Sequence, residues 1–290
     1  MNETTNNTPI IARTAMLASL NISRWTGRKF DKQTTSELTS SKGAAADAAR
    51  VNLVLLKSDM LDAIQTLDNS VRAEYYRVTL PWGDNGDRVM PALKYQEFAD
   101  FFTDKKTERD GLVDQFVHNY KTEVERSRYR LNSLFDIDNY PDPWDIAEKF
   151  DMRFSVRPVP TEDDFRVTLA GPAEAAIKKQ VRDDLERLTT QAVGHLWAQV
   201  GEMLTTIRDR LNDPGARFKS AMVDNFLQLV NELDKLNVAN DPNLDKLRNE
   251  VEKNLLALRD PDALRKDEAT RAQTVRDCDK VIRQFEGLWG

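Results

Sequence analysis

Apolar residues recur every three or four positions through the second half of the chain, which is the spacing of one helix face. The longest such run extends from Pro172 to about Leu211 and predicts a helix of roughly 60 Å at about 1.5 Å per residue. Its steps average slightly more than 3.6 residues, so we expect a straight or weakly right-handed helix. The pattern predicts a mainly α fold, with long amphipathic helices packed as a bundle or as helical hairpins.

Asp-Pro pairs mark the predicted starts of several helices. An aspartate side chain accepts a hydrogen bond from a backbone N–H of the first turn, and proline gives up an N–H that would have no partner. The pairs at 241–242 and 260–261 predict two helices of the second half. The pair at 142–143 predicts a short helix that ends near Phe150.

The first half mixes helical spacing with a period of two. Residues 16–22 alternate as a strand does, with Gly27 as the turn that ends it, and residues 152–160 alternate in the same way. Residues 166–169 are a third candidate strand, and a helix is predicted from Pro91 to about residue 134. We therefore expect a small β-sheet of two or three short strands covered by helices.

These patterns predict three regions along the chain. Residues 1–14 begin with a polar, Asn/Thr-rich stretch and form a flexible tail. Residues 15–170 form a mixed helical domain with short strands, and residues 171–290 form a long-helix bundle or coiled-coil-like region.

Composition and charge narrow the classes of function. The net charge of −6 gives no bulk attraction to nucleic acid or to an anionic membrane. One cysteine excludes a disulfide framework within the chain and fits a reducing cytoplasm. Neither a signal peptide nor an apolar run of about 18 residues is visible, so we expect a cytoplasmic protein without a membrane span.

No catalytic constellation, metal site or cofactor site is predicted. The two histidines, His118 and His195, lie too far apart to supply the ligands of a zinc site. The sequence also contains no glycine-rich phosphate loop. One oxygen-rich segment does not match a calcium loop and is better explained by turns and helix caps; it holds Asp136, Asp138, Asn139, Asp142 and Asp145.

Basic residues surround a tryptophan near the start of the chain, where Arg24, Arg28 and Lys29 flank Trp25. An aromatic ring among cations can stack a base and hold a phosphate, which is a pattern of single-stranded nucleic-acid binding. The structural alternative is a strand end whose tryptophan packs inward while the cations extend to solvent. The acidic total charge favours this alternative.

The last predicted helix shows heptad spacing, with apolar residues at Val275, Cys278, Ile282, Phe285 and Trp289. Such spacing is typical of helices that pack in pairs. A tryptophan this close to the end of the sequence, with nothing in the chain to pack against, would contact a partner or a second copy. We therefore predict that Trp25, Arg28, Phe285 and Trp289 bind a partner protein.

The segment NISRWTGRKFDKQTTSEL, residues 21–38, resembles the opening of an uncharacterised family of helical proteins from bacteriophages and integrative elements. Members of that family are often encoded beside a MoxR-type AAA ATPase and a cobaltochelatase-like protein with a von Willebrand A domain. The resemblance implies one of these proteins as a partner, and it transfers no catalytic residue.

Three functions remain open from the sequence. The first is a non-enzymatic adaptor that works with an AAA ATPase remodelling complex, encoded by a phage or another mobile element. The second is an accessory single-stranded nucleic-acid-binding protein that uses Arg24, Trp25, Arg28 and Lys29. The third is a structural component of a virion, since long helical hairpins suit fibres and collars.

Overall fold

A computed structural model describes residues 8–84, 86–164, 171–213 and 219–289. Within these ranges the fold is mainly α, as predicted, with nine α-helices and six short strands. The α-helices, α1 to α9, span Ile10–Thr14, Lys32–Ser41, Asp59–Arg77, Ala92–Leu131, Gly171–Asn212, Ser220–Leu236, Pro242–Asn254, Pro261–Lys266 and Glu268–Gln284. The strands, β1 to β6, span Ala15–Ser23, Arg28–Phe30, Asn52–Val54, Leu80–Pro81, Arg88–Pro91 and Asp151–Pro158.

The strands form a four-stranded sheet in the order β4-β5-β1-β6 and a separate pair, β2-β3. Strand β5 runs antiparallel to both β1 and β4, with Ala15 opposite Pro91. The predicted strands at residues 16–22 and 152–160 are confirmed. Strands β2, β4 and β5 were not predicted, and the candidate strand at residues 166–169 lies outside the described residues.

Two helices are exceptionally long, and both were predicted from their apolar spacing. Helix α5 contains 42 residues and begins and ends within one residue of the predicted bounds. Helix α4 contains 40 residues and continues without a break through Gly111. A β-carbon added at Gly111 would meet nothing within 4 Å, so this glycine makes no close packing contact.

The Asp-Pro pairs of the second half begin helices as predicted. The Asp241 side chain accepts from the backbone N–H of Asn243, and the Asp260 side chain accepts from that of Ala263. The helix predicted after Asp142, however, is wrong. The chain there forms a turn and one short 3-10 helix at Ala147–Lys149.

The chain forms two compact units. The first unit comprises the described residues of Met1–Ser19, Tyr76–Glu97 and Val156–Gly290, and the second those of Leu20–Tyr75 and Phe98–Ser155. The boundaries predicted after residues 14 and 170 stay predictions. Within the range predicted as a tail, α1 forms and buries Ile11.

The core of the first unit lies where α5 packs against α6 and α9, and α6 against α7. Most of it comes from the apolar stripes that the sequence predicts, joined by side chains of β1, β4 and β5. Fully buried members include Leu196, Val200, Ile207, Phe226, Leu244, Leu247 and Cys278. Burial raises the pKa of the Cys278 thiol to about 12, as expected for a cysteine that serves as a small apolar residue.

The core of the second unit is aromatic and contains a buried ion pair. Phe116 and Tyr120 of α4 lie in the same cluster as Leu55 and Ile146. The Asp68 carboxylate is fully buried and accepts hydrogen bonds from Arg109 at 2.7 Å and from Arg24 at 3.2 Å. Because a buried carboxylate without a partner is costly, these two arginines stabilise the unit.

Candidate binding surfaces

Trp25 is half-buried and packs inward on the aromatic core of the second unit. Its ring lies 5.7 Å from Tyr120 in an edge-to-face arrangement, and 6.3 Å from both Phe116 and Tyr140. These contacts agree with the alternative that the acidic net charge favours, in which Trp25 packs inward at the end of a strand. The partner and nucleic-acid roles of Trp25 stay predictions.

The three cations predicted beside Trp25 have different surroundings. Arg24 bonds to the buried Asp68, which gives it a structural role. Lys29 is exposed and donates to the Asn139 side chain. Arg28 is exposed and makes no ion pair or side-chain hydrogen bond to any residue that the structure describes.

A cavity of about 300 Å³ lies beside Trp25. Its wall includes Arg24, Arg28 and Lys57, together with Ser58, the residue before the first turn of α3. The structure therefore brings together three of the four residues that the sequence assigned to nucleic-acid binding. It adds two that sequence reasoning missed, Lys57 and Ser58.

An exposed segment follows the end of α4 in the second unit. Trp144 leaves 87% of its surface in solvent, Ile137 leaves 53% and Leu134 leaves 52%. On the last turn of α4, Tyr129 is 85% exposed. We name the residues from Tyr129 to Glu148 the Trp144 segment. Large apolar side chains this exposed and this close along one stretch of chain are typical of a binding surface.

The Trp144 segment is also acidic. Asp136, Asp138, Asp142, Asp145 and Glu148 are all exposed. The sequence placed several of these residues in turns and helix caps, and Asp136 does accept from the backbone N–H of Asp138. Among the described residues, no group of three or more His, Cys, Asp or Glu side chains has the geometry to hold a metal ion.

A mainly apolar groove of about 310 Å³ lies between this segment and the preceding part of α4. Tyr120 and Val124 of α4 form one side, and Ile137, Pro141 and Pro143 form the other. The Tyr120 hydroxyl donates to the Pro141 carbonyl at 2.9 Å, which fixes the two sides together. Burial raises the pKa of this hydroxyl, so it remains protonated and keeps donating.

Phe285 and Trp289 lie in the first unit, and the premise that Trp289 has nothing to pack against is wrong. Phe285 is buried and stacks on Trp197 with ring centres 5.8 Å apart. Trp289 is half-buried, meets Trp197 edge to face at 5.5 Å, and donates from Nε1 to the Ile282 carbonyl at 2.9 Å. Their role in partner binding stays a prediction, but both side chains have internal partners.

The Trp289 ring packs against a glycine that leaves room for it. A β-carbon at Gly201 of α5 would lie 2.8 Å from an atom of the ring. Trp197, which contacts the same ring, donates from Nε1 to Asp241 at 3.0 Å. The apolar end of α9 therefore completes the core of this unit.

The sequence does contain a signal for the exposed tryptophan. Trp144 stands between Pro143 and Asp145 in a stretch without helical apolar spacing, so no local pattern provides it with a buried face. Ser58 has no such signal, because its importance depends on which atoms surround its hydroxyl in the fold.

No protein-family model, no curated protein and no solved structure matches this chain. The resemblance of residues 21–38 to a family of mobile elements therefore stays a prediction. Within the ranges that the structure covers, no helix is long and apolar enough to cross a membrane.

Proposed function

We propose that this protein is a non-enzymatic adaptor that uses the Trp144 segment to bind a partner protein. The observation that carries the proposal is Trp144 itself, which is 87% exposed in a segment with a second large exposed side chain, Ile137. Tryptophan is among the residues that contribute most to protein interfaces, because one ring buries a large area with little loss of side-chain entropy.

The charge of the segment indicates the chemistry of the partner. Five exposed carboxylates lie between residues 136 and 148, and Lys149 is the first cation that follows them. A complementary surface would carry arginine or lysine beside apolar side chains. An arginine can also lie over the face of the Trp144 ring, where the carboxylates of Asp142 and Asp145 add to the attraction. The occupant that fits is a basic segment of another protein.

The resemblance of residues 21–38 suggests which protein carries that basic segment. Proteins with a similar opening are encoded beside a MoxR-type AAA ATPase and a von Willebrand A-domain protein, so these are the partners we propose. The adaptor would then work in the cytoplasm of the host of a phage or mobile element, in keeping with the single thiol.

Co-purification of the tagged full chain from its native host, after nuclease treatment, tests the proposal. The wild type is compared with a double variant, Ile137→Ala with Trp144→Ala, and with a control variant, Leu256→Ala. Leu256 is also exposed, at 58%, but lies in the first unit. We expect an ATPase or von Willebrand A-domain protein with the wild type and with the control, and its loss from the double variant.

A variant with fewer negative charges tests the same proposal in the same experiment. Replacing Asp142 and Asp145 with Asn keeps the shape of the segment, so recovery of the partner should fall and become less sensitive to salt. Equal recovery from all variants would overturn the assignment of this surface. Recovery of nuclease-sensitive material alone would favour nucleic-acid binding instead, and recovery of only a second copy of this chain would favour a homo-oligomer.

A further inference from the structure

A buried hydroxyl without a partner lies at the start of α3. Ser58 is 6% exposed, and its Oγ has no hydrogen-bond partner among the described residues. An unsatisfied buried polar atom costs free energy, so a fold that retains one provides a place for a ligand atom or a water. Ser58 lines the cavity beside Trp25 and a second cavity of about 290 Å³ next to Arg126.

The backbone around this hydroxyl favours an anion. The Ser58 carbonyl accepts from the N–H of Asp62, which makes Ser58 the residue that precedes the first turn of a 19-residue helix. The first amides of a helix have no partner within it, and the helix dipole places partial positive charge there. Serine at this position normally bonds to one of these amides. Here its hydroxyl makes no such bond, so the donor at the start of α3 has no partner among the described residues.

Two cations complete the cavity beside Trp25. Lys57 and Arg28 line it, are exposed, and form no ion pair within the described part of the chain. Arg24 also lines the cavity but bonds to Asp68, and Asp62 is the one carboxylate on the described wall. In the second cavity Arg126 already pairs with Glu123, and Arg130 donates to backbone carbonyls. The cavity beside Trp25 is therefore the more favourable of the two for an anion.

We propose that this cavity is a binding site for a phosphate group. The Ser58 hydroxyl would donate to one of its oxygens, the positive end of the α3 dipole would favour its charge, and Lys57 and Arg28 would neutralise that charge. The group could belong to a small phosphate compound or to a nucleic-acid backbone, and the chemistry at the site is the same. This proposal does not depend on the Trp144 segment or on a protein partner.

The first test is calorimetric titration of the full chain with inorganic phosphate at constant ionic strength. Ser58→Ala should raise the dissociation constant by about tenfold or more, because it removes a hydrogen bond to a charged ligand. Lys57→Ala should weaken binding as well. Ser36→Ala is the matched control, since Ser36 is an exposed serine of α2 in the same unit and should leave the affinity unchanged.

The melting temperature of Ser58→Ala shows whether the variant folds, and the proposal predicts the direction of its change. Without phosphate, Ser58→Ala should leave the melting temperature unchanged or raise it, because it removes an unsatisfied buried group. A lower melting temperature would mean that the hydroxyl caps α3 in solution, and it would overturn the proposal.

The source of the phosphate is distinguished by adding a single-stranded oligonucleotide. Oligonucleotide binding that inorganic phosphate displaces, and that Ser58→Ala weakens, would support the site and identify a nucleic-acid backbone as its ligand. Binding of inorganic phosphate without the oligonucleotide would support a small phosphate compound. If neither ligand binds, or if binding is equal in Ser58→Ala, a water satisfies the hydroxyl and the proposal fails.

Discussion

Two Asp-Pro pairs of the same chain lead to different structures. Asp241-Pro242 begins α7, and the Asp241 carboxylate accepts both from the Asn243 amide and from the Trp197 indole. Asp142-Pro143 begins only a turn, in which the Asp142 carbonyl accepts from the amides of Asp145 and Ile146. The tryptophan near the first pair is buried, whereas Trp144, which directly follows the second pair, is exposed.

The difference shows what an Asp-Pro pair can and cannot determine. The pair fixes the backbone at its own position, since proline sets one dihedral angle and aspartate supplies an acceptor. A helix continues after it only where an apolar stripe has a core to enter. After Pro242 that stripe is Leu244, Leu247 and Val251, all buried, whereas after Pro143 the next buried side chain is Ile146 alone. Trp144 thus stays exposed without a structural role, which is why we assign it a binding role.

The largest difference in the free energy of unfolding should appear between removal of a buried aromatic side chain and removal of an exposed one. Phe285→Ala should lower the free energy of unfolding by about 3–5 kcal/mol, because it leaves a cavity beside Trp197. Trp144→Ala should change it by less than about 0.5 kcal/mol, because the side chain has few contacts to lose. Denaturant unfolding of both variants measures the two values, and similar values would contradict the comparison.

Replacing either of two glycines of α5 with alanine should change the free energy of unfolding by less, and in opposite directions. Gly201→Ala should lower the free energy of unfolding by about 1–3 kcal/mol, because its β-carbon would overlap the Trp289 ring. Gly194→Ala should raise it by roughly 0.5–1 kcal/mol, since nothing lies within 4 Å of the new β-carbon and alanine favours the helix. Thermal unfolding measures both, and stabilisation by both would show that Trp289 does not pack as described.

The smallest difference in the free energy of unfolding should appear between substitutions of the two aspartates, Asp241 and Asp142. Asp241→Ala should cost about 1–2 kcal/mol, because it removes the cap of α7 and the acceptor of the Trp197 indole. Asp142→Ala should cost less than about 0.5 kcal/mol, because its turn is held by its backbone carbonyl, which alanine keeps. Equal losses from the two variants would mean that the Asp142 side chain has a structural role in solution.

The fold was predictable where the apolar spacing is long and regular. Helix α5 was predicted within one residue at each end because its apolar spacing is regular along its length and most of that stripe packs into one core. The short strands β2, β4 and β5 were not predicted, since two to four residues show no measurable period and their pairing depends on distant segments.

The candidate sites were predictable only in part, for a similar reason. Sequence reasoning found Arg24, Trp25 and Arg28 because they lie close together in the chain. It missed Lys57 and Ser58, which the fold brings to the same cavity from the start of α3. It also assigned a free surface to Trp289, because spacing does not show that Gly201 leaves room for the ring.

In the function proposed here, the exposed Trp144 serves binding and not stability. The most direct test measures both properties on one preparation of Trp144→Ala: the free energy of unfolding, and recovery of the partner protein after nuclease treatment. We expect an unfolding free energy within about 0.5 kcal/mol of the wild type and loss of the partner. Full recovery of the partner with the variant would contradict it.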